Sequence, residues 1–72
     1  MAKTATIGVR LNGDDREVPP DLSVRGLLEW LELNPSLVVV ELNRTILDRE
    51  LYVGTFVAEG DSLELVHFVG GG

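Results

Sequence analysis

The segment DLSVRGLLEWLELNP, residues 21–35, constrains the fold more than any other stretch. Val24, Leu27, Leu28 and Leu31 fall at i, i+3, i+4 and i+7, which places one apolar stripe along a helix. Ser23 is the expected N-cap, and Pro35 is expected to stop the helix, with Asn34 already biased away from helical dihedrals. Gly26 lies within the first turn and costs about 1 kcal/mol relative to Ala, so this helix depends on packing its stripe against a partner. Trp30, on the flank of the stripe, is expected to be a partly buried lid on the core rather than a platform for a ligand.

The remaining segments read as strands, so the stripe must be buried on a sheet. Ile7-Gly8-Val9-Arg10-Leu11 alternates, Asn12-Gly13-Asp14 supplies a turn, and Arg16-Glu17-Val18 resumes before Pro19-Pro20 ends the second strand of a hairpin. After the helix, Val38, Val40 and Leu42 share one parity of a strand and Val39 and Glu41 the other. Asn43-Arg44 forms a turn, Ile46-Leu47 adds a short strand, and DRELYVGTFVAEGD is an irregular connection. Glu59-Gly60-Asp61 turns the chain into a last strand from Ser62 to Phe68. A single helix following a hairpin covers one face of a mixed sheet of four to five strands, an α+β architecture in which the sheet grips the helix.

Size and composition narrow the chemistry. A 72-residue chain makes one domain and buries only about 60% of the surface its unfolded form exposes, which leaves no room for a deep enzyme cleft. Cys is absent and His67 is the sole histidine, so disulfides, thiolate metal sites, cysteine nucleophiles and histidine clusters are excluded, and no metal site is expected. Twelve acidic against six basic residues give a net charge of −6, which disfavours nucleic acid and anionic membrane surfaces. Nothing after Met1-Ala2-Lys3 resembles a signal peptide and no apolar run is long enough to cross a bilayer, so a cytoplasmic location is expected. Neither G-x-x-x-x-G-K-[ST] nor G-x-G-x-x-G occurs, so no nucleotide cofactor is expected.

The end of the chain, LVHFVGGG, is the most unusual stretch. Leu63 and Leu65 are expected to point into the core, while Val66 and Phe68 face outward as a patch for docking a partner, unless the long connection covers them. His67 is expected to be a rim histidine making an ordinary hydrogen bond, with no nucleophile nearby to activate. The domain is expected to span residues 1–68, with residues 69–72 as a flexible tail. If extended, Val69, Gly70, Gly71 and Gly72 reach roughly 13 Å at about 3.3 Å per residue. Three glycines stabilise nothing locally, but a backbone without Cβ atoms enters a slot that rejects other sequences. Such a tail delivers the Gly72 carboxylate, which is a poor acyl donor until another protein activates it with ATP. A frayed terminus without function is the alternative on pattern alone.

Taken together, VRLNG in the first hairpin, LSVRGLLEWLEL in the helix, VVVELN followed by ILDREL, and VAEGDSLELVHFVGGG to the end resemble the ubiquitin-like β-grasp sulfur carriers, most closely those of thiamine biosynthesis. The likeness covers nearly the whole chain, and its C-terminal part is the specific portion. It implies that an adenylating enzyme related to ubiquitin-activating enzymes makes a Gly72 acyl-adenylate, that a persulfide donor converts it to a thiocarboxylate, and that thiazole synthase accepts the sulfur. In that scheme the chain is a co-substrate and carrier rather than an enzyme. Gly70 departs from the pattern as a third glycine where relatives often carry another small residue. The small subunit of molybdopterin synthase, a ubiquitin-like protein modifier and a plain binding module are the competing readings. Lys3 is the sole lysine, which rules out polymeric chains built through several internal lysines.

Overall fold

The computed structural model describes residues 5–68. The expected tail, Val69 to Gly72, and its Gly72 carboxylate lie outside the described residues. Five strands form one sheet: β1 (Ile7–Leu11), β2 (Asp14–Val18), β3 (Val38–Leu42), β4 (Thr45–Leu47) and β5 (Ser62–His67), in the order β2-β1-β5-β3-β4. All neighbours are antiparallel except β1 and β5, which run parallel through Arg10↔Ser62 and Leu11↔Leu63. One helix, α1 (Val24–Trp30), crosses one face. This is the β-grasp arrangement expected from a single amphipathic helix among strands.

Two hairpin turns set the register. Asn12 and Gly13 both take left-handed dihedrals (φ 50° and 87°), as a two-residue type I′ turn requires, and Leu11 pairs directly with Asp14. The turn is therefore one residue tighter than expected, and β2 begins at Asp14. Asn43 and Arg44 repeat the geometry (φ 50° and 72°), closing on Leu42↔Thr45.

The helix ends earlier than Pro35 indicates. Glu32 turns left-handed (φ 64°), its N–H donates to the Glu29 carbonyl, and the Leu33 N–H donates to the Leu28 carbonyl. This is a Schellman stop with glutamate in the place glycine usually fills. Pro35 instead begins a 3₁₀ turn, Pro35–Leu37, whose first free N–H, that of Ser36, is capped by Asn34 Oδ1. At the other end Ser23 caps as expected, its Oγ accepting from the Gly26 N–H at 3.0 Å.

The core lies between α1 and the sheet. Val24, Leu27 and Leu28 of the helix, Val9 and Leu11 of β1, Val38 and Val40 of β3, and Leu63 of β5 are all buried. The connection between β4 and β5 is less irregular than expected. It includes a 3₁₀ turn at Arg49–Leu51 and sends two buried side chains, Tyr52 and Val57, into the same core. Trp30 does not act as a lid: it is 46% exposed and is not among the side chains packed on the core. Gly26, one turn earlier on that flank, offers it no side chain to pack against. Among the described residues, no helix is long and apolar enough to cross a membrane.

Candidate functional site

The β5 strand carries the chain towards its terminus, and alternation divides its side chains between two faces. Leu63 is fully buried and Leu65 packs against the core, as expected. Val66 and Phe68 are 54% and 55% exposed, so the long connection does not cover them. On the outer face Val66 is paired with Val39 of β3, and one strand further out Ile46 of β4 is 67% exposed. The sequence reading missed Ile46 and Val39 as members of this surface. Their parity was legible, but the pairing that brings them beside Val66 was not.

Charge borders this apolar strip. Glu41 and Glu64 stand directly opposite each other on the outer face, and Ile46 is paired with Glu41. Like charges placed opposite each other disfavour the pairing, so this feature adds nothing to the fold. Arg10 and Arg44 line the same shallow concavity as Val39, Glu41, Glu64 and Val66. A larger open depression, lined by Gly8, Arg10, Asp15, Arg44 and Glu59, lies at the end of the sheet where β5 begins, away from the terminus. It has no counterpart to the apolar strip.

The base of the terminal segment is firmly held. The Asn43 N–H donates to the Ser62 carbonyl and its Oδ1 accepts from the Ser62 N–H, fixing the start of β5 against β3. On the other flank, the Asn12 N–H donates to the Leu63 carbonyl and Asn12 Oδ1 accepts from the Leu65 N–H at 2.7 Å. Both turn asparagines thus have a second task that their turn chemistry did not reveal. The Phe68 N–H reaches the Leu37 carbonyl at 2.8 Å, so the strand remains anchored to β3 to the last described residue.

His67 is exposed on the rim, opposite Val38. The hydrogen bond expected for its imidazole is not found among the described residues. Those residues also contain no group of three His, Asp or Glu side chains arranged to hold a metal ion. What the arrangement offers chemically is an apolar, charge-bordered outer face at the end of the last described strand.

Residues 9–72 match the ThiS family. The sulfur carrier protein ThiS of Bacillus subtilis is 37% identical over 65 residues, a match that covers 89% of this chain and 98% of that protein. A thiazole synthase of Magnetococcus marinus is 36% identical over 64 residues, covering 89% of this chain but only 20% of that longer protein. The crystal structure of thiamine biosynthesis protein ThiS from Geobacter metallireducens agrees with a TM-score of 0.78 at 36% identity, across 92% of this chain and 100% of that one. With the same grasp of one helix by a five-stranded mixed sheet, and with likeness running through the C-terminal glycines, the chain belongs to the ThiS family of ubiquitin-like sulfur carriers of thiamine biosynthesis.

Proposed function

We propose that the Gly72 carboxylate is the group that carries sulfur, and that the chain acts as a co-substrate rather than as an enzyme. An ATP-dependent activating enzyme forms the acyl-adenylate and releases pyrophosphate. A persulfide sulfur then attacks the acyl carbon and AMP leaves. A thiol cleaves the resulting acyl disulfide, which leaves a thiocarboxylate on Gly72 and a disulfide on the donor. The thiocarboxylate sulfur is a nucleophile on a narrow arm formed by Val69, Gly70, Gly71 and Gly72, suited to entering two active sites in turn.

The observation that carries this reading is the exposed pair Val66, near the end of β5, and Phe68, just after it. Two neighbouring apolar side chains left in solvent at this point suit docking of both the activating enzyme and the sulfur acceptor. Thiazole synthase is the favoured acceptor, because a protein of that name contains a stretch similar to nearly all of this chain. That association favours thiazole over pterin synthesis. The reading places the chain in the cytoplasm, with the activating enzyme, the persulfide donor and thiazole synthase as its partners.

The test is the intact mass of protein recovered from cells. The expected form has one terminal oxygen replaced by sulfur, and a chain lacking Gly71 and Gly72 is expected to fold normally yet fail to support growth without thiamine. Growth sustained by the truncated chain would overturn the role of the tail. A chain recovered joined to lysines of other proteins would point instead to a modifier.

A further inference from the structure

The main chain of β5 has one open edge, and it lies directly before the tail. In an antiparallel pair, residues alternate between exchanging hydrogen bonds with the neighbour and pointing away from it. The Asn43–Ser62 and Leu37–Phe68 bonds fix the phase: Ser62, Glu64, Val66 and Phe68 face β3 with their backbone groups, and Leu63, Leu65 and His67 face the other way, towards β1. β1 ends at Leu11, where the Asn12-Gly13 turn reverses the chain. Asn12 satisfies the Leu63 carbonyl and the Leu65 N–H. Beyond that point, the Leu65 carbonyl and the His67 N–H and carbonyl point outward with no partner among the described residues.

An edge of this kind is normally blunted. Proteins place charges or proline on exposed edges to prevent pairing with foreign strands. The outer edge strand β2 follows that rule, with Asp14, Asp15, Arg16 and Glu17 all exposed. The open stretch of β5 does not: Leu65-Val66-His67-Phe68 contains neither proline nor an acidic or permanently charged side chain. The other outer edge, β4, is only three residues long, so the uncharged flank of β5 beyond Leu65 is open although β5 itself lies at the centre of the sheet.

We infer that this edge is a template for strand addition, and that an extended segment of the activating enzyme pairs with Leu65 and His67 when the tail is engaged. The inference rests on the carrier reading above. Backbone pairing at His67 holds β5 extended and so aims the following residues along the strand axis into the partner. The segment that fits is apolar where it shares a face with Val66 and Phe68, and carries basic residues to complement a chain of net charge −6. A second copy of the chain is the poorer occupant, because each copy carries a net charge of −6.

The test is amide hydrogen exchange at His67, followed with and without the activating enzyme. The His67 amide is expected to exchange freely in the isolated chain and to slow at least tenfold in the complex. An amide that stays unprotected in a complex that still adenylates Gly72 would overturn the edge proposal and leave the carrier reading intact. Protection in the isolated chain that grows with its concentration would assign the edge to self-pairing, and would also overturn it. A chain that the enzyme does not adenylate at all would remove the carrier reading and this inference together. As a second measurement, His67→Pro deletes the outward N–H without touching the bonds to β3, whereas His67→Ala keeps it. The proline variant is expected to need about fivefold more protein than the alanine variant for half-maximal ATP–pyrophosphate exchange, the effect of one net hydrogen bond. A folded proline variant that behaves like the alanine variant would sink the proposal.

Discussion

Replacing Tyr52 by Phe removes one oxygen atom from the core and leaves the ring in place. The Tyr52 hydroxyl donates to the Val38 carbonyl at 2.8 Å and accepts from the Val40 N–H at 3.2 Å, and the side chain is buried. It therefore bonds the β3 main chain at Val40, opposite the last residue of β4, and at Val38 just beyond that pairing. A net hydrogen bond contributes about 1 kcal/mol, and a buried carbonyl left without a partner costs about 1–3 kcal/mol. Here the carbonyl is not wholly abandoned, because Arg49 Nη2 also reaches it at 3.4 Å, beyond the usual bonding range. Tyr52→Phe is thus expected to lose about 1.5 kcal/mol, a fall in Tm of roughly 6–12 °C for a domain of this size. Urea unfolding followed by circular dichroism measures this directly, with an unchanged m-value showing that the comparison is sound. Arg49→Ala should cost under about 0.5 kcal/mol alone and about 1 kcal/mol more in the Tyr52→Phe background, where it removes the last partner of that carbonyl. A Tyr52→Phe loss below about 0.5 kcal/mol, or simple additivity with Arg49→Ala, would refute the reasoning.

Two backbone substitutions should stabilise the chain. Arg44→Gly relieves a left-handed non-glycine residue and recreates the Asn-Gly turn of the first hairpin, for an expected gain of about 1 kcal/mol in chemical denaturation. Glu32→Gly should give a gain of about 1 kcal/mol for the same reason at the Schellman position, read as a rise in Tm of roughly 4–8 °C. In the opposite direction, Asn12→Ala removes the acceptor of the Leu65 N–H and a residue suited to left-handed dihedrals. It should cost about 1–2 kcal/mol and speed hydrogen exchange at the Leu65 amide.

The parts of the fold legible in the sequence are those fixed by local chemistry. The stripe of Val24, Leu27, Leu28 and Leu31 required a covering sheet, Ser23 announced the helix start, and Asn12-Gly13 announced a hairpin. The end of α1 was misread because Pro35 is a strong local signal, whereas Glu32 bears no mark of the left-handed turn it makes. Tertiary packing pulls Leu33 onto the core and pins that turn. Tyr52 and Val57 were hidden for a related reason: they sit in a connection without periodicity, and their burial depends on where β3 and the helix leave space. At the candidate site, alternation alone placed Val66 and Phe68 outward. Val39 and Ile46 joined them only through the cross-strand register, which is a property of the sheet and not of any one segment.

The position of β5 in the sheet explains how so small a domain could present its terminus. A strand at the sheet margin would fray, and its direction would vary with each opening. β5 is third of five and is held on both flanks as far as Leu65, by β3 along its length and by β1 and Asn12 at its start. From Leu65 onward only the β3 flank remains paired within the described residues. The strand therefore leaves the fold along a fixed axis while keeping one row of backbone groups and one apolar face open. Pairing on both flanks to the very end would fix that axis equally well but leave a partner no backbone to grip. Pairing on neither would leave the tail to be ordered wholly at the expense of binding energy, at about 1–2 kcal/mol for each residue fixed. The half-paired strand lies between these limits, so the turn at Asn12-Gly13, far from β5 in sequence, sets which backbone groups of its last residues remain open for the proposed strand addition.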